Sequence, residues 1–229
     1  MRKVTFLVLL MTMSLFGFAQ KDWFGFNRYQ ADNERIISTE DYPEVVFMGN
    51  SITDNWAYSH PEFFTENHFC GRGIGGQTSA HMLVRFTADV INLRPKAVVI
   101  MAGTNDVAHN DYYVEFDHVV ENIVAMCDLA KAHGIIPIIC SIPPCSKFPW
   151  RPEIENPGQT IVDLNKILKD YAEANGIVYV DFHSAFADEH LGLPNSFSAD
   201  GCHPNPESYF PMEAMVLEAI EQLGVRSEE

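Results

Sequence analysis

Val45-Val46-Phe47-Met48-Gly49-Asn50-Ser51-Ile52-Thr53-Asp54 is the stretch on which the fold turns. Four apolar residues, two of them β-branched, give way at once to a glycine and a polar cluster. A run that short and that uniformly apolar reads as a strand buried on both faces, the pattern of a parallel sheet. The pattern returns at Ala97-Val98-Val99-Ile100-Met101, at Ile135–Cys140 and at Ile177–Val180, with Asn67–Cys70 as a weaker candidate. Between these runs the apolar spacing is helical, over about 78–93, 112–133, 159–175 and 206–223. Gly134 and Gly176 stand where a left-handed residue closes a helix, and Asn205-Pro206 supplies a cap and a first-turn proline. Residues 20–40 read as a helical arm and 141–158 as one long, proline-bearing loop. Strands alternating with helices predict an open parallel sheet covered on both faces, in a single domain with no linker.

The 229 residues carry 31 acidic against 15 basic side chains, a net charge of −16. Such a chain repels phosphate backbones and anionic lipid, which excludes nucleic-acid binding. At 47% hydrophobic and 20% charged residues it is globular, not disordered. Met1-Arg2-Lys3, the apolar run Val4–Phe18 and the small residues Gly17 and Ala19 form a signal-peptide layout, with cleavage expected after Ala19 and a mature domain of 20–229. The apolar run is shorter than a bilayer span, no cysteine follows it to take a lipid, and the mature chain has no second candidate span. The expectation is an exported protein, periplasmic or secreted. Five cysteines, Cys70, Cys127, Cys140, Cys145 and Cys202, are an odd number for that setting. Buried free thiols are expected at Cys70, Cys127 and Cys140, with a local Cys140–Cys145 bridge as an alternative.

In a parallel sheet, ligands bind beyond the carboxyl ends of the strands. Four polar clusters fall there: 49–54, 71–78, 102–106 and 198–204. Ser51, three residues past the first strand, is either a helix N-cap or a nucleophile at a strand end; it lacks the Gly-x-Ser-x-Gly elbow of α/β-hydrolases. Asp200 and His203 flank Gly201, either as a surface turn or as a carboxylate folded onto the imidazole that would deprotonate Ser51. Gly71–Gly76 matches a dinucleotide-binding G-x-G-x-x-G, but position 96 is Lys and Asp89 lies mid-helix where that site wants an acid at a strand end. A glycine turn there serves equally as a tight bend or as a source of backbone N–H groups for an oxyanion. Asn105 is a turn residue or a carboxamide donor to the same oxyanion. His81, His118 and His133 fall on helices as surface or packed residues. Trp56, Tyr58 and Trp150 are either pocket-mouth residues or packing. No metal-ligand spacing occurs.

Taken in order, Gly49-Asn50-Ser51-Ile52-Thr53-Asp54, Gly71–Ser79, Gly103-Thr104-Asn105-Asp106 and Asp200-Gly201-Cys202-His203 resemble the four blocks of the SGNH hydrolases, the GDSL-like lipases and acylhydrolases. Asn50 and Ile52 depart from the literal Gly-Asp-Ser-Leu, and Gln77 stands where many members carry Asp. These departures point to the subgroup resembling platelet-activating-factor acetylhydrolase and bacterial sugar acetylesterases. The resemblance implies a three-layer α/β/α, flavodoxin-like fold with five parallel strands. It implies Ser51 as nucleophile, His203 as base and Asp200 as its orienter. The oxyanion donors would be the Ser51 and Gly76 backbone N–H groups and the Asn105 side chain, and no cofactor is called for. The expected activity is hydrolysis of short-chain, acetyl esters on a carbohydrate through an acyl-Ser intermediate, with Trp150 as a substrate contact. A lysophospholipid or thioester acylhydrolase and a catalytically silent glycan-binding module are the alternatives. The sequence leaves the acyl acceptor and the oligomeric state open.

Overall fold

The computed structural model describes residues 22–111 and 113–225; the expected signal segment lies outside them. Five parallel strands form one sheet in the order β2-β1-β3-β4-β5. They are β1 (Val45–Gly49), β2 (Phe69–Gly73), β3 (Ala97–Met101), β4 (Ile136–Cys140) and β5 (Val178–Val180). β1 is an interior strand, with Val45 paired to Phe69 on one side and to Ala97 on the other.

Successive residues of β1 feed different cores, as a pleated strand requires. Val45 and Phe47 join a cluster with Trp56, Phe63, Phe64, Tyr209 and Val216. Val46 and Met48 join a second with Ile36, Met82, Phe86, Ile123 and Leu164. The first layer holds α2 (Ser51–Ser59), α3 (Pro61–Glu66), α8 (Phe182–Phe186) and α9 (Tyr209–Gln222). The opposite layer holds α1 (Phe26–Thr39), α4 (Ser79–Asp89), α6 (Phe116–Ala132) and α7 (Pro157–Ala174). A single turn, α5 (Thr104–Val107), follows β3. The three-layer α/β/α sheet expected from the sequence is therefore the observed fold. No helix among the described residues is long and apolar enough to cross a membrane.

Several local expectations change. The segment predicted over 206–223 opens with a 3₁₀ turn at Pro206–Ser208, and Asn205 makes no side-chain cap. A Cys140–Cys145 bridge is ruled out: Cys140 faces the first core and Cys145 the second, so the sheet separates them. All five thiols are free and buried, and Cys145 Sγ instead donates to the Lys147 carbonyl at 3.0 Å. Trp56 is packing and not pocket mouth. It is sandwiched between Phe63 and Tyr209 at ring separations of 5.6 and 5.4 Å. Its Nε1 donates to Glu213, which also lies 2.6 Å from His60 Nδ1 and so ties α9 to α2.

Arg85 is wholly buried at the carboxyl ends of β1 and β2. It donates to the Gly49 carbonyl (3.1 Å), the Arg72 carbonyl (2.7 Å), Gln77 Oε1 (2.6 Å) and Asp89 Oδ2 (2.8 Å). Asp89, set aside above as a nucleotide ligand, is thus the counter-ion of a structural guanidinium, and Asn33 donates to its other oxygen at 2.6 Å. Removing one partner of a buried pair leaves the other charge uncompensated, at a cost of about 3–5 kcal/mol, whereas exposed pairs contribute about 0–1. Arg85→Met should therefore lower the unfolding free energy by about 3–5 kcal/mol in denaturant titration. Lys166→Ala, which removes the exposed 2.6 Å pair with Asp170, should change it by less than about 1 kcal/mol.

Candidate active site

The turn after β1 sets the geometry of Ser51. Asn50 is the N-cap of α2: its Oδ1 accepts from the Ile52 N–H at 3.0 Å and its carbonyl from the Asp54 N–H at 2.9 Å. Ser51 is consequently the first helical residue, and the capping role weighed for it belongs to its neighbour. Its hydroxyl is released from local bonding, and its backbone N–H is one of the first-turn donors that no helical carbonyl can reach. Gly73, the last residue of β2, runs against this turn. A Cβ there would lie 2.2 Å from the Asp54 nitrogen and 2.7 Å from the Asn50 oxygen, so only glycine fits.

Asp200 and His203 fold onto Ser51 from the segment before α9. Ser51 Oγ lies 2.8 Å from His203 Nε2, and His203 Nδ1 lies 2.7 Å from Asp200 Oδ2. The other carboxylate oxygen accepts from the backbone N–H groups of Cys202 and His203 at 2.9 and 2.8 Å and from Ser198 Oγ at 3.1 Å. Burial alone would raise the Asp200 carboxyl. The His203 N–H, the imidazole and the Cys202 N–H outweigh it and hold the group at about 2. The carboxylate is therefore ionised at neutral pH, and its bond to Nδ1 makes that the protonated nitrogen, leaving Nε2 free to accept from Ser51.

Gly76 and Asn105 are brought together by Asn110, whose Nδ2 donates to the Gly76 carbonyl at 3.3 Å and to Asn105 Oδ1 at 2.8 Å. Gly76 is exposed, in a left-handed turn at φ +80°. Asn105 is buried on α5, and its Nδ2 donates to the Gln77 carbonyl at 2.9 Å. Its neighbour Asp106 accepts three hydrogen bonds from Ser79 N–H and Oγ, clamping α5 to the start of α4. Burial pushes the Asp106 carboxyl up, against those bonds. Trp150 comes in from the 141–158 loop, its ring 5.7 Å from that of His203 and 39% exposed. Tyr58 is exposed with no contact to these residues, and His118 pairs with Glu121 at the surface. His81 is nearer: it lies 2.8 Å from Thr78 Oγ1 and against Phe24 of the N-terminal arm.

Two participants escaped sequence reasoning. Gln77 bridges Arg85, Asn105 and the Phe24 carbonyl, and Asn110 links Asn105 to Trp150. Gln77 at least lay within a recognised block. Asn110 lies in a turn with no sequence signal of its own.

The sequence profile of the GDSL-like Lipase/Acylhydrolase family matches residues 47–209, which contain all four clusters. The chain belongs to this family. A GDSL-like lipase from Bacteroides thetaiotaomicron is 42% identical, with a TM-score of 0.84, over 88% of this chain and all of that one. A Bacteroides fragilis structure is 43% identical with a TM-score of 0.86, over 90% of this chain and all of its own. The platelet-activating factor acetylhydrolase IB subunit alpha2 of Rattus norvegicus is 27% identical over 161 residues, covering 66% of this chain and 65% of its own length. Family membership thus sets the chain among carboxylic ester hydrolases.

The depressed Asp200 value has a stability consequence. An unfolded aspartate titrates near ~3.9, so the Asp200 contribution should be fully present above about pH 4 and lost as pH falls towards 2. Denaturant midpoints of the parent and of Asp200→Asn should accordingly differ most at neutral pH and converge between about pH 4 and 2.

Proposed function

We propose that this chain is a serine esterase that removes short acyl groups, acetyl foremost, from a carbohydrate alcohol. One observation carries the reading: Ser51, His203 and Asp200 lie in hydrogen-bonded series at the carboxyl end of β1. Ser51 Oγ attacks the ester carbonyl as His203 Nε2 takes its proton, and Asp200 stabilises the imidazolium at Nδ1. The negative charge that builds on the carbonyl oxygen meets the Ser51 and Gly76 backbone N–H groups and one Asn105 Nδ2 hydrogen. Collapse of the intermediate expels the alcohol, which receives the proton from Nε2. Water, deprotonated by the same nitrogen, then hydrolyses the acyl-Ser. Every proton is carried by His203, and the sequence calls for no cofactor.

Trp150 supports the carbohydrate half of the reading. The alcohol leaves on the side of the group that protonates it, and Trp150 stands against His203 with its ring partly open to solvent. An indole face there suits the flat C–H face of a pyranose. The acetyl preference draws support from the name of the platelet-activating factor acetylhydrolase relatives. A phospholipid-like acyl donor is the second reading, favoured by the same name. Residues 1–19 carry the proposal of export.

Turnover of p-nitrophenyl acetate against longer p-nitrophenyl esters tests the acyl preference, and acetylated xylan, sialic acid and pectin fragments test the acceptor. Rates that rise with chain length would favour the lipid reading, and no turnover of any ester by folded protein would favour a silent binding module. Ser51→Ala should keep the parent melting temperature and lose at least about 10³-fold in kcat. Asn105→Ala should lose about 10²–10³ in kcat with KM little changed, because an oxyanion bond strengthens only as charge develops. A full kcat with a depressed melting temperature would return Asn105 to a turn residue.

A further inference from the structure

Asn105 stands at the end of a line of hydrogen bonds that begins at the pocket wall. Trp150 Nε1 donates to Asn110 Oδ1 at 2.9 Å. Asn110 Nδ2 donates to Asn105 Oδ1 at 2.8 Å and, more loosely, to the Gly76 carbonyl at 3.3 Å. Asn105 Nδ2 donates to the Gln77 carbonyl at 2.9 Å, which leaves its second hydrogen for the oxyanion. An asparagine can present either end to a neighbour, but here neither has a choice. An indole N–H only donates and a carbonyl only accepts. Trp150 therefore fixes the sense of Asn110, and Asn110 and the Gln77 carbonyl together fix the sense of Asn105. Bonds aligned head to tail also polarise one another, by perhaps 10–30% per bond, which makes the terminal Asn105 hydrogen a stronger donor.

We infer that Trp150 and Asn110 form a donor relay that orients and polarises the Asn105 carboxamide for the oxyanion, making both positioning residues for ester hydrolysis. The inference rests on Asn105 being an oxyanion donor, as proposed above. It adds a role for Trp150 distinct from its ring face. The indole N–H acts on the acyl carbonyl through two amides while the ring meets the departing alcohol, so both halves of an ester are sensed by one side chain. Asn110 also shares the rim of the site with the oxyanion turn, through its contact to Gly76.

The test is a double-mutant cycle on p-nitrophenyl acetate with Asn110→Ala, Trp150→Phe and the pair, alongside Asn105→Ala. Trp150→Phe keeps an aromatic ring but removes the N–H donor together with part of the indole face, so loss of the ring contact is read in KM and loss of the donor in kcat. Asn110→Ala and Trp150→Phe should each lose roughly tenfold in kcat with KM nearly unchanged and the melting temperature within a few degrees of the parent. Links in series share one effect, so the pair should be no worse than Asn110→Ala alone, whereas independent contributions would multiply. If Asn105→Ala loses kcat while Asn110→Ala and Trp150→Phe keep it, or if the two losses multiply, the relay is overturned and the oxyanion role stands. If Asn105→Ala itself keeps full kcat, the oxyanion role fails and the relay with it. Should Asn110→Ala fold poorly, Trp150→Phe decides the relay by its kcat alone.

Discussion

A guanidinium shut away from water is the constraint on which the site depends. Arg85 lies under the carboxyl ends of β1 and β2, where it makes four hydrogen bonds, to two backbone carbonyls, a carboxamide and a carboxylate. Each acceptor belongs to a different part of the site. Gly49 opens the turn that carries Ser51, Arg72 belongs to the strand that ends against it, and Gln77 belongs to the glycine turn. An uncompensated charge in that position is far costlier than any loop rearrangement, so the four acceptors are held in one relative geometry. A neutral Gln77 is compatible with this because Asp89 already balances the charge. Asn33, donating to Asp89 and accepting from Arg72, extends the same network into the N-terminal arm.

Around that anchor the site is assembled from chain segments far apart in sequence, and each arrives with its own local lock. Asn50 caps α2, so Ser51 has no other duty. Ser79 and Asp106 clamp the two turns that bring Gly76 and Asn105 into range. The Asp200 carboxylate is gripped by the backbone of its own turn before it meets the imidazole. Ser51, Asn105 and Asp200 therefore sit on turns that are each fixed by their own hydrogen bonds, the kind of support a preorganised electrostatic site requires.

The long loop after β4 contributes differently. It is pinned at its start by Asn165, whose side chain both donates to and accepts from the Ile142 backbone, and further on by the burial of Phe148. These attachments hold Trp150 against His203 and within reach of Asn110. The loop thereby carries the residue proposed to meet the alcohol side of the substrate.

How much of this is legible in the residues follows from the range of the forces involved. The sheet was readable because burial on both faces leaves a continuous apolar run, and the carboxyl-end clusters because a strand can only stop in polar residues that turn the chain. Gly134 and Gly176 close their helices with positive φ, as expected, because that conformation is a local demand met by glycine. The identity of the N-cap at 50 and not 51, the service of Asp89 to Arg85, the separation of Cys140 from Cys145 by the sheet and the line from Trp150 to Asn105 were not readable. The cap at Asn50 and the Arg85–Asp89 pair join residues only two and four apart, but apolar periodicity says nothing of which polar neighbours bond; the bond from Trp150 to Asn110 joins residues 40 apart and leaves no local pattern. The sequence by itself determined the layers, the end of the sheet at which chemistry is possible and the residue types present there. Only the tertiary structure decided which donor faces which acceptor, because buried polar groups must be paired and the pairing is settled by packing in three dimensions.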